Sequence, residues 1–352
     1  MKLIRKSQAA LLGIDISSTT VKLLQLSRSG ERYRVEHYAV EPLPFNAVVE
    51  KSIVEFDQVV AAVQRALARA GSSLKTAAAA VAGASVITKL IPMPADLSED
   101  ELEAQVELEA ANYIPYPIDE VNIDFEAVGP MPGAPDMQQV LLVAARSEEV
   151  AARQGVLEAA GLKARVIDVE SFAVENAFSL IAPDLNLPTG GLVALVDIGA
   201  NSTTLNILRD GRSLYSREQA FGGKQLTEEI MRRYGLSWEQ AERGKRSGGL
   251  PAAYEEEVLE PFCESLVQQI SRLLQFYYAS SEYSRVDQVV LSGGGASISG
   301  LAQQVEEHLG MQTMVANPLA RMTLNGRVQA QELAQDAPSL MIACGLALRS
   351  FD

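Results

Sequence analysis

Apolar positions along the chain switch repeatedly between a period of two and the longer spacing of helices. Residues 11–24 read as an apolar strand ending in Ile14-Asp15-Ile16, a small polar turn and a second strand, and residues 33–42 alternate as a third strand. Phe56, Val59, Val60, Val63 and Leu67 recur at helical spacing. Residues 76–83 and 86–93 predict two more strands.

From Pro94 the character changes. Ser98-Glu99-Asp100-Glu101 is a capping box that opens an acidic helix, stopped after Tyr113 by Pro115 and Pro117. Strand-like residues 121–128 follow, then a loop over 130–136, a strand over 140–145, a helix over 148–160 and a strand over 162–169. This helix-strand-strand-helix-strand block predicts an α+β insert over 93–165. A helix over 171–181 and a linker over 183–191 lead to the second half.

That half opens as the first one does. Leu195-Val196-Asp197-Ile198-Gly199-Ala200-Asn201-Ser202-Thr203-Thr204 repeats the strand, the Asp and the small polar turn seen around Asp15. Leu226, Ile230 and Tyr234 mark a helix, and Ser237 with Gln240 caps another. Val258, Phe262, Leu266, Ile270, Leu273 and Tyr277 stripe a long helix. Residues 286–291 form a short apolar strand running into Ser292-Gly293-Gly294-Gly295, and residues 340–348 close the chain as a helix. Strands and helices alternate throughout, so the fold class is α/β.

Composition narrows the function classes. The chain has 352 residues, enough for about two domains. Its formal net charge of −15 disfavours nucleic acid and anionic lipid as partners. Cys263 and Cys344 lie in apolar helical patterns and are expected as buried free thiols. His37 and His308 have no neighbouring ligands, which leaves no His-based metal site or triad in view. The basic stretch Met1-Lys2-Leu3-Ile4-Arg5-Lys6-Ser7-Gln8 lacks an apolar core of signal-peptide type, and no apolar run approaches the ~20 residues of a membrane span. A cytoplasmic protein is expected.

Two Asp-bearing hairpins suggest phosphate chemistry. A tight turn of small hydroxyl residues turns backbone N–H groups toward an anion. Ser17, Ser18, Thr19 and Thr20 add hydroxyl groups, and Lys22 supplies a charge if it faces the turn. Asp15 and Asp197 at strand ends could hold Mg²⁺ through water, as that ion prefers. One such hairpin reads equally as an ordinary polar turn; two, with a triple-glycine turn between strand and helix, point to a nucleotide. Only glycine lets backbone approach a ring or phosphate closely. Neither a P-loop nor a G-x-S-x-G elbow occurs.

Together these residues resemble the actin, Hsp70 and sugar-kinase superfamily. More specifically, Gly13-Ile14-Asp15-Ile16-Ser17-Ser18, the stretch Asn112-Tyr113-Ile114-Pro115-Tyr116-Pro117 and Phe221-Gly222-Gly223 resemble the PilM family of type IV pilus assembly proteins, relatives of the division protein FtsA. The resemblance implies an actin-like two-domain fold of duplicated ribonuclease-H-like domains with an inserted subdomain. The first domain is then expected over 1–92 with 166–185 and 335–352, the insert over 93–165 and the second domain over 186–334.

It also implies a site for ATP or ADP with Mg²⁺. The first phosphate motif falls on Asp15, Ser17, Ser18, Thr19 and Lys22, and the second on Asp197, Gly199, Asn201, Ser202 and Thr203. Gly222 and Gly223 match the nucleotide-side helix start, Glu242 and Lys245 the ribose position, and Gly293, Gly294, Gly295 and Ser297 the adenosine motif. Residues 168–178 and 338–349 match the two connecting helices. Ser17 stands where many relatives carry glycine, at a cost of roughly 1 kcal/mol if that position needs a left-handed backbone. Glu170 is the candidate for positioning water, or equally an interface carboxylate, so the chain is expected to be at most a weak ATPase.

The function the resemblance implies is a cytoplasmic ATP-binding scaffold at the inner face of the inner membrane, gripping the N-terminal tail of PilN. Motor ATPases and a second copy of the chain are further partners it suggests. Tyr113, Ile114 and Tyr116 are candidates for the partner groove, or a plug closing the helix end. The alternative is a small-molecule kinase or phosphatase of the same superfamily, which would need an Asp poised as base toward a substrate hydroxyl. An FtsA-like anchor is not expected, because Arg349-Ser350-Phe351-Asp352 follows directly on the last core helix.

Overall fold

The two Asp-bearing segments become the leading hairpins of two separate sheets. In the computed structural model, which describes residues 10–352, β1 (Leu12–Ile16), β2 (Thr20–Ser29) and β3 (Arg32–Pro42) form an antiparallel meander. The basic stretch at residues 1–8 lies outside the described residues. A short hairpin of β4 (Val48–Val49) and β5 (Ser52–Ile53) leads into α1 (Phe56–Ala70), which buries Val59, Ala62, Val63 and Ala66 and ends at Gly71 in the left-handed conformation. β6 (Thr76–Val81) pairs parallel with β1.

The chain then leaves this sheet. β7 (Val86–Pro94), α2 (Glu99–Tyr113), β8 (Val121–Met131) and β9 (Ala134–Arg146) build a three-stranded antiparallel sheet, in the order β7-β9-β8, with a core of its own around Ile91, Val106 and Leu142. The Ser98–Glu101 capping box opens α2 as its spacing predicts. The expected loop over 130–136 is mostly strand, with only Pro132 and Gly133 between β8 and β9. β8 is an edge strand, where Pro130 can lack its N–H without breaking a ladder.

α3 (Ser147–Ala159) and β10 (Lys163–Val169) rejoin the first sheet, with β10 parallel to β6. The small sheet thus takes in β7, most of which lies upstream of residue 93, while α3, inside the expected 93–165 insert, packs on the large sheet's core, and β10 runs from the insert's end at 163–165 into the stretch expected with the first domain. Apolar alternation marks a strand but does not say which strand it pairs with, so the insert's ends were not encoded locally.

α4 (Glu170–Ile181) leads to a second meander of β11 (Leu192–Ile198), β12 (Thr203–Arg209) and β13 (Arg212–Gln219). Then come α5 (Gly223–Tyr234), α6 (Trp238–Ser247) and α7 (Glu260–Ser280), followed by β14 (Gln288–Ser292), α8 (Leu301–Leu309) and β15 (Thr313–Val315). β16 (Thr323–Leu324) returns to pair with β3, and α9 (Ala330–Asp336) and α10 (Met341–Leu348) close the chain.

The sheet orders, β10-β6-β1-β2-β3-β16 and β13-β12-β11-β14-β15, repeat one plan. In each, a meander adds two parallel strands on the far side of its first strand. α4 and α10 pack between the two, in a core that joins Leu24 and Val35 of one sheet to Leu195 and Val290 of the other. Cys263 and Cys344 are both free and buried, and burial pushes the Cys344 thiol up to about 12. Among the described residues, no helix is long and apolar enough to cross a membrane.

Candidate functional site

The two hairpin turns meet at a cleft between the sheets. At the first, the antiparallel register sets Asp15 opposite Lys22. Lys22 Nζ lies 2.8 Å from Asp15 Oδ2 and 3.0 Å from Ser17 Oγ, with Asp15 only 3% exposed. Lys22 therefore does face the turn, and it offsets the charge of the buried Asp15. Ser17 closes the turn, its N–H and Oγ both donating to the Thr20 carbonyl. Ser17 is not among the residues with positive φ, so the glycine-to-serine departure carries no left-handed strain here.

At the second turn, Asp197 ends the apolar run of β11 and accepts a 3.0 Å hydrogen bond from Ser292 Oγ of the neighbouring β14. The Gly199 N–H donates to the Ser202 carbonyl, and Thr203 Oγ1 donates to the Phe221 carbonyl. α5 docks directly on this turn, with the N–H groups of Gly223 and Lys224 donating to the carbonyls of Gly199 and Ala200. A Cβ on Gly222 would fall 2.5 Å from the Gly199 oxygen, so this glycine is needed for the docking itself. Behind it, Glu242 Oε1 accepts from Lys245 Nζ at 2.5 Å and from Thr227 Oγ1 at 2.5 Å. Burial holds the Lys245 ammonium below its usual range, and Glu242 opposes that shift.

The glycine turn after β14 divides by role. Gly293 has φ +83°, and a Cβ there would lie 2.5 Å from the Ile198 oxygen; one on Gly295 would lie 2.2 Å from the Ile198 side chain. Those two glycines are required by packing on β11. Gly294 is exposed and meets nothing within 4 Å, so only its position leaves space for a ring. Ser297 Oγ, 3.3 Å from the Gln335 carbonyl, ties the turn to α9.

Lys51, Phe45 and Trp238 are not among the site residues the sequence suggested. Lys51, in the β4–β5 turn, places Nζ 3.0 Å from Oε2 of Glu170 at the start of α4. Burial alone would lower the Lys51 ammonium, but Glu170, then Asp197 and Asp15, raise it above its ordinary value. Burial likewise raises the Glu170 carboxyl, against the pull of Lys51. Phe45 packs against Trp238, the only tryptophan, with ring centroids 4.7 Å apart and the planes tilted by 51°, both rings lining the cavity, and Lys224 Nζ lies 5.3 Å from the Phe45 ring. The pair Val48-Val49 and Ile53-Val54 around three polar residues is a hairpin signal, but without Asn-Gly it does not stand out.

These walls enclose a cavity of about 370 Å³. Ser18 and Thr19 line it from one hairpin and Asn201 from the other, with Glu242, Arg243 and Arg246 of α6 on its far side. No group of three or more His, Cys, Asp or Glu that could hold a metal ion occurs among the described residues.

On the small sheet, Ile114 is 4% exposed and belongs to the local core, which corrects its place among the groove candidates. Tyr113 and Tyr116 are exposed, and the Arg146 guanidinium covers the Tyr116 ring at 4.7 Å. α2 and β8 leave a shallow groove lined by Leu108, Ile118, Val121 and Ile123.

Duplicated sheets with facing Asp-bearing turns and two helices crossing between them define an actin-like two-domain protein. Residues 13–351 match the family described as type IV pilus assembly protein PilM, and the chain belongs to that family. A solved chain of a PilM-PilN type IV pilus biogenesis complex superposes with a TM-score of 0.80 at 29% identity, covering 98% of this chain and 99% of that one. The cell division protein FtsA of Bacillus subtilis is 24% identical over 87% of this chain and 78% of its own length. The ethanolamine utilization protein EutJ of Escherichia coli is 27% identical over 51% of this chain, a match that spans 59% of EutJ. EutJ from Carboxydothermus hydrogenoformans shares the fold, with a TM-score of 0.56 at 16% identity.

Proposed function

We propose that the chain is an ATP-binding scaffold of type IV pilus assembly, held at the inner face of the inner membrane by the N-terminal tail of PilN. The carrying observation is the cavity between Ser18–Thr19 and Asn201, bounded by both hairpin turns. Small hydroxyl and amide groups on facing turns suit a polyphosphate. Asp15, Asp197 and Glu170 gather about the Lys51 ammonium, and Lys22 pairs with Asp15. Mg²⁺ fits this donor set, because it takes one or two carboxylates and keeps phosphate and water as its other ligands. Gly294 leaves the open place for the base, and Glu242 with Lys245 the polar edge for the ribose.

PilN as partner rests on family membership and on the likeness to a chain of the PilM-PilN complex. The small sheet is not needed to form the cleft, and its exposed apolar groups suit an extended peptide. The kinase alternative draws no support from the family match. With Glu170 paired to Lys51, turnover of ATP is at most slow.

The test strips co-purified nucleotide by denaturation and refolding or by exhaustive dialysis, then records melting with and without ATP–Mg²⁺. Ligand at about a thousandfold its Kd should stabilise the fold by ~4 kcal/mol, and Asp197→Ala should shrink that gain. An unchanged melting curve in the wild type removes the nucleotide reading. Titration of a PilN N-terminal peptide tests the partner independently.

A further inference from the structure

Lys51 occupies a backbone conformation that lysine seldom adopts. The turn between β4 and β5 has φ +48° at Glu50 and +70° at Lys51. A hairpin turn with two left-handed residues ordinarily takes asparagine and glycine. Both flanking strands are only two residues long, so their own pairing does little to hold the turn.

The turn is pinned from below instead. Arg153 of α3, 2% exposed, donates from Nη2 to the Lys51 carbonyl at 2.6 Å and from Nε to the Ala80 carbonyl at 2.9 Å. Its Nη1 pairs with Glu149, which also accepts a 2.6 Å hydrogen bond from Ser52 Oγ. A buried guanidinium is retained only where its donors are used, and this one is used to fix a surface hairpin. Strained backbone that the surroundings over-determine is a mark of functional sites. What the arrangement fixes is one ammonium group, three-quarters buried beside Glu170.

We infer that Lys51 is the ligand of the nucleotide's terminal phosphate, and that its pairing with Glu170 is the resting arrangement it leaves when that phosphate arrives. The inference rests on the nucleotide reading above. Lys51 and Glu170 come from different elements, and Asp15 and Asp197, one from each hairpin, both act on the Lys51 ammonium. A lysine ammonium is a compact charge on a flexible stem, so it can pass from a carboxylate to a phosphate oxygen without moving its anchored backbone. A triphosphate brings the oxygen that draws it away; a diphosphate does not, and Lys51 then stays with Glu170. The pair therefore distinguishes ATP from ADP.

The experiment is calorimetric titration of ATP and of ADP, each with Mg²⁺, into the nucleotide-stripped full chain and its Lys51→Gln, Lys51→Arg and Glu170→Gln variants. Lys51→Gln should weaken ATP by about tenfold or more and ADP by less than about twofold, the loss of one charge-assisted contact. Lys51→Arg should keep part of the preference. Glu170→Gln, by releasing Lys51 from its partner, should tighten ATP relative to ADP. Equal weakening of both nucleotides by Lys51→Gln would mean a structural role for the hairpin and overturn the inference, as would no weakening at all. A wild type that binds neither nucleotide would instead overturn the nucleotide reading, and this inference with it.

Discussion

Gly345 of α10 lies against Ala173 of α4 at backbone contact: a Cβ on the glycine would fall 1.7 Å from the Ala173 carbonyl oxygen. On the neighbouring face of α10, a Cβ on Gly13 of β1 would fall 2.2 Å from the Ala343 oxygen. The first strand and both crossing helices are thus stacked with no side chain between them at these points. Asp15 follows Gly13 by two residues on β1, and Glu170 starts α4 three residues before Ala173. The positions of two cleft carboxylates are set by how closely these backbones approach.

Gly345→Ala should therefore destabilise the whole protein rather than one domain. A buried methyl that can be accommodated only by moving backbone costs about 1–3 kcal/mol or more. Thermal denaturation should show a melting point lower by several degrees with one transition. An unchanged melting point would mean that α4 and α10 can separate at no cost.

The glycine turn gives a paired test. Gly294→Val places its side chain in open space, so circular dichroism and melting should stay near the wild type while nucleotide affinity falls about tenfold or more. Gly295→Val drives its side chain into Ile198 and should lower the melting point outright. If Gly294→Val binds nucleotide normally, the open position beside the turn is not where the base lies.

Why some of this was legible in the sequence follows from the range over which each signal acts. The hairpins around Asp15 and Asp197 are local, with strand, turn and partner strand contiguous, and the same is true of the Ser98 cap on α2. Their chemistry could be read because the residues that make the turn also carry the function. Lys51 and Glu170 are far apart in sequence and meet only through tertiary packing. Nothing in the run Glu50-Lys51-Ser52 shows that a buried arginine on α3 will pin it. The same limit split the roles of Gly294 and Gly295, since Ile198, which decides between them, belongs to another strand. Ile114 looked like part of an exposed segment because Pro115 and Pro117 follow it, yet it ends the apolar stripe of α2 that begins at Leu102.

Glu175 gives a pH-dependent prediction. Its Oε1 accepts a 2.9 Å hydrogen bond from the Ser213 N–H, linking α4 to β13, and burial raises its carboxyl above the model-peptide value, against the Ser213 bond and Arg212. A carboxyl raised in the folded state binds its proton more tightly there than in the unfolded chain. Its contribution to stability therefore falls as pH rises from about 4.5 through the folded-state value, and is constant above it. Glu175→Gln keeps the accepting oxygen and removes the charge. The variant should match the wild type in melting near pH 4 and exceed it at pH 7, by under about 1 kcal/mol because the group is partly solvated. A difference that does not change between those two pH values would show that Glu175 does not titrate abnormally.

Leu108 tests the partner surface. It is 73% exposed on α2, on the opposite side of the helix from the buried Leu102, Val106 and Ala110, and it lines the groove with Ile118 and Ile123. Core packing does not explain a leucine there, and a single exposed leucine needs no explanation by itself. Beside two further apolar groups, on a helix otherwise studded with Glu99, Asp100, Glu101, Glu103 and Glu107, it marks an apolar stretch a peptide side chain could enter. Burying a leucine under a peptide stabilises the complex by about 1.5–3 kcal/mol, so losing it weakens binding by roughly ten- to a hundredfold. Leu108→Glu should cause that loss for a PilN N-terminal peptide while leaving the melting point within about a degree of the wild type, because the position is solvated. The acidic residues around it should change the salt dependence of association more than the affinity. Peptide binding by Leu108→Glu at wild-type strength would move the docking surface off this groove, toward the junction where Val86 and Val143 meet the first sheet at Val81 and Val169.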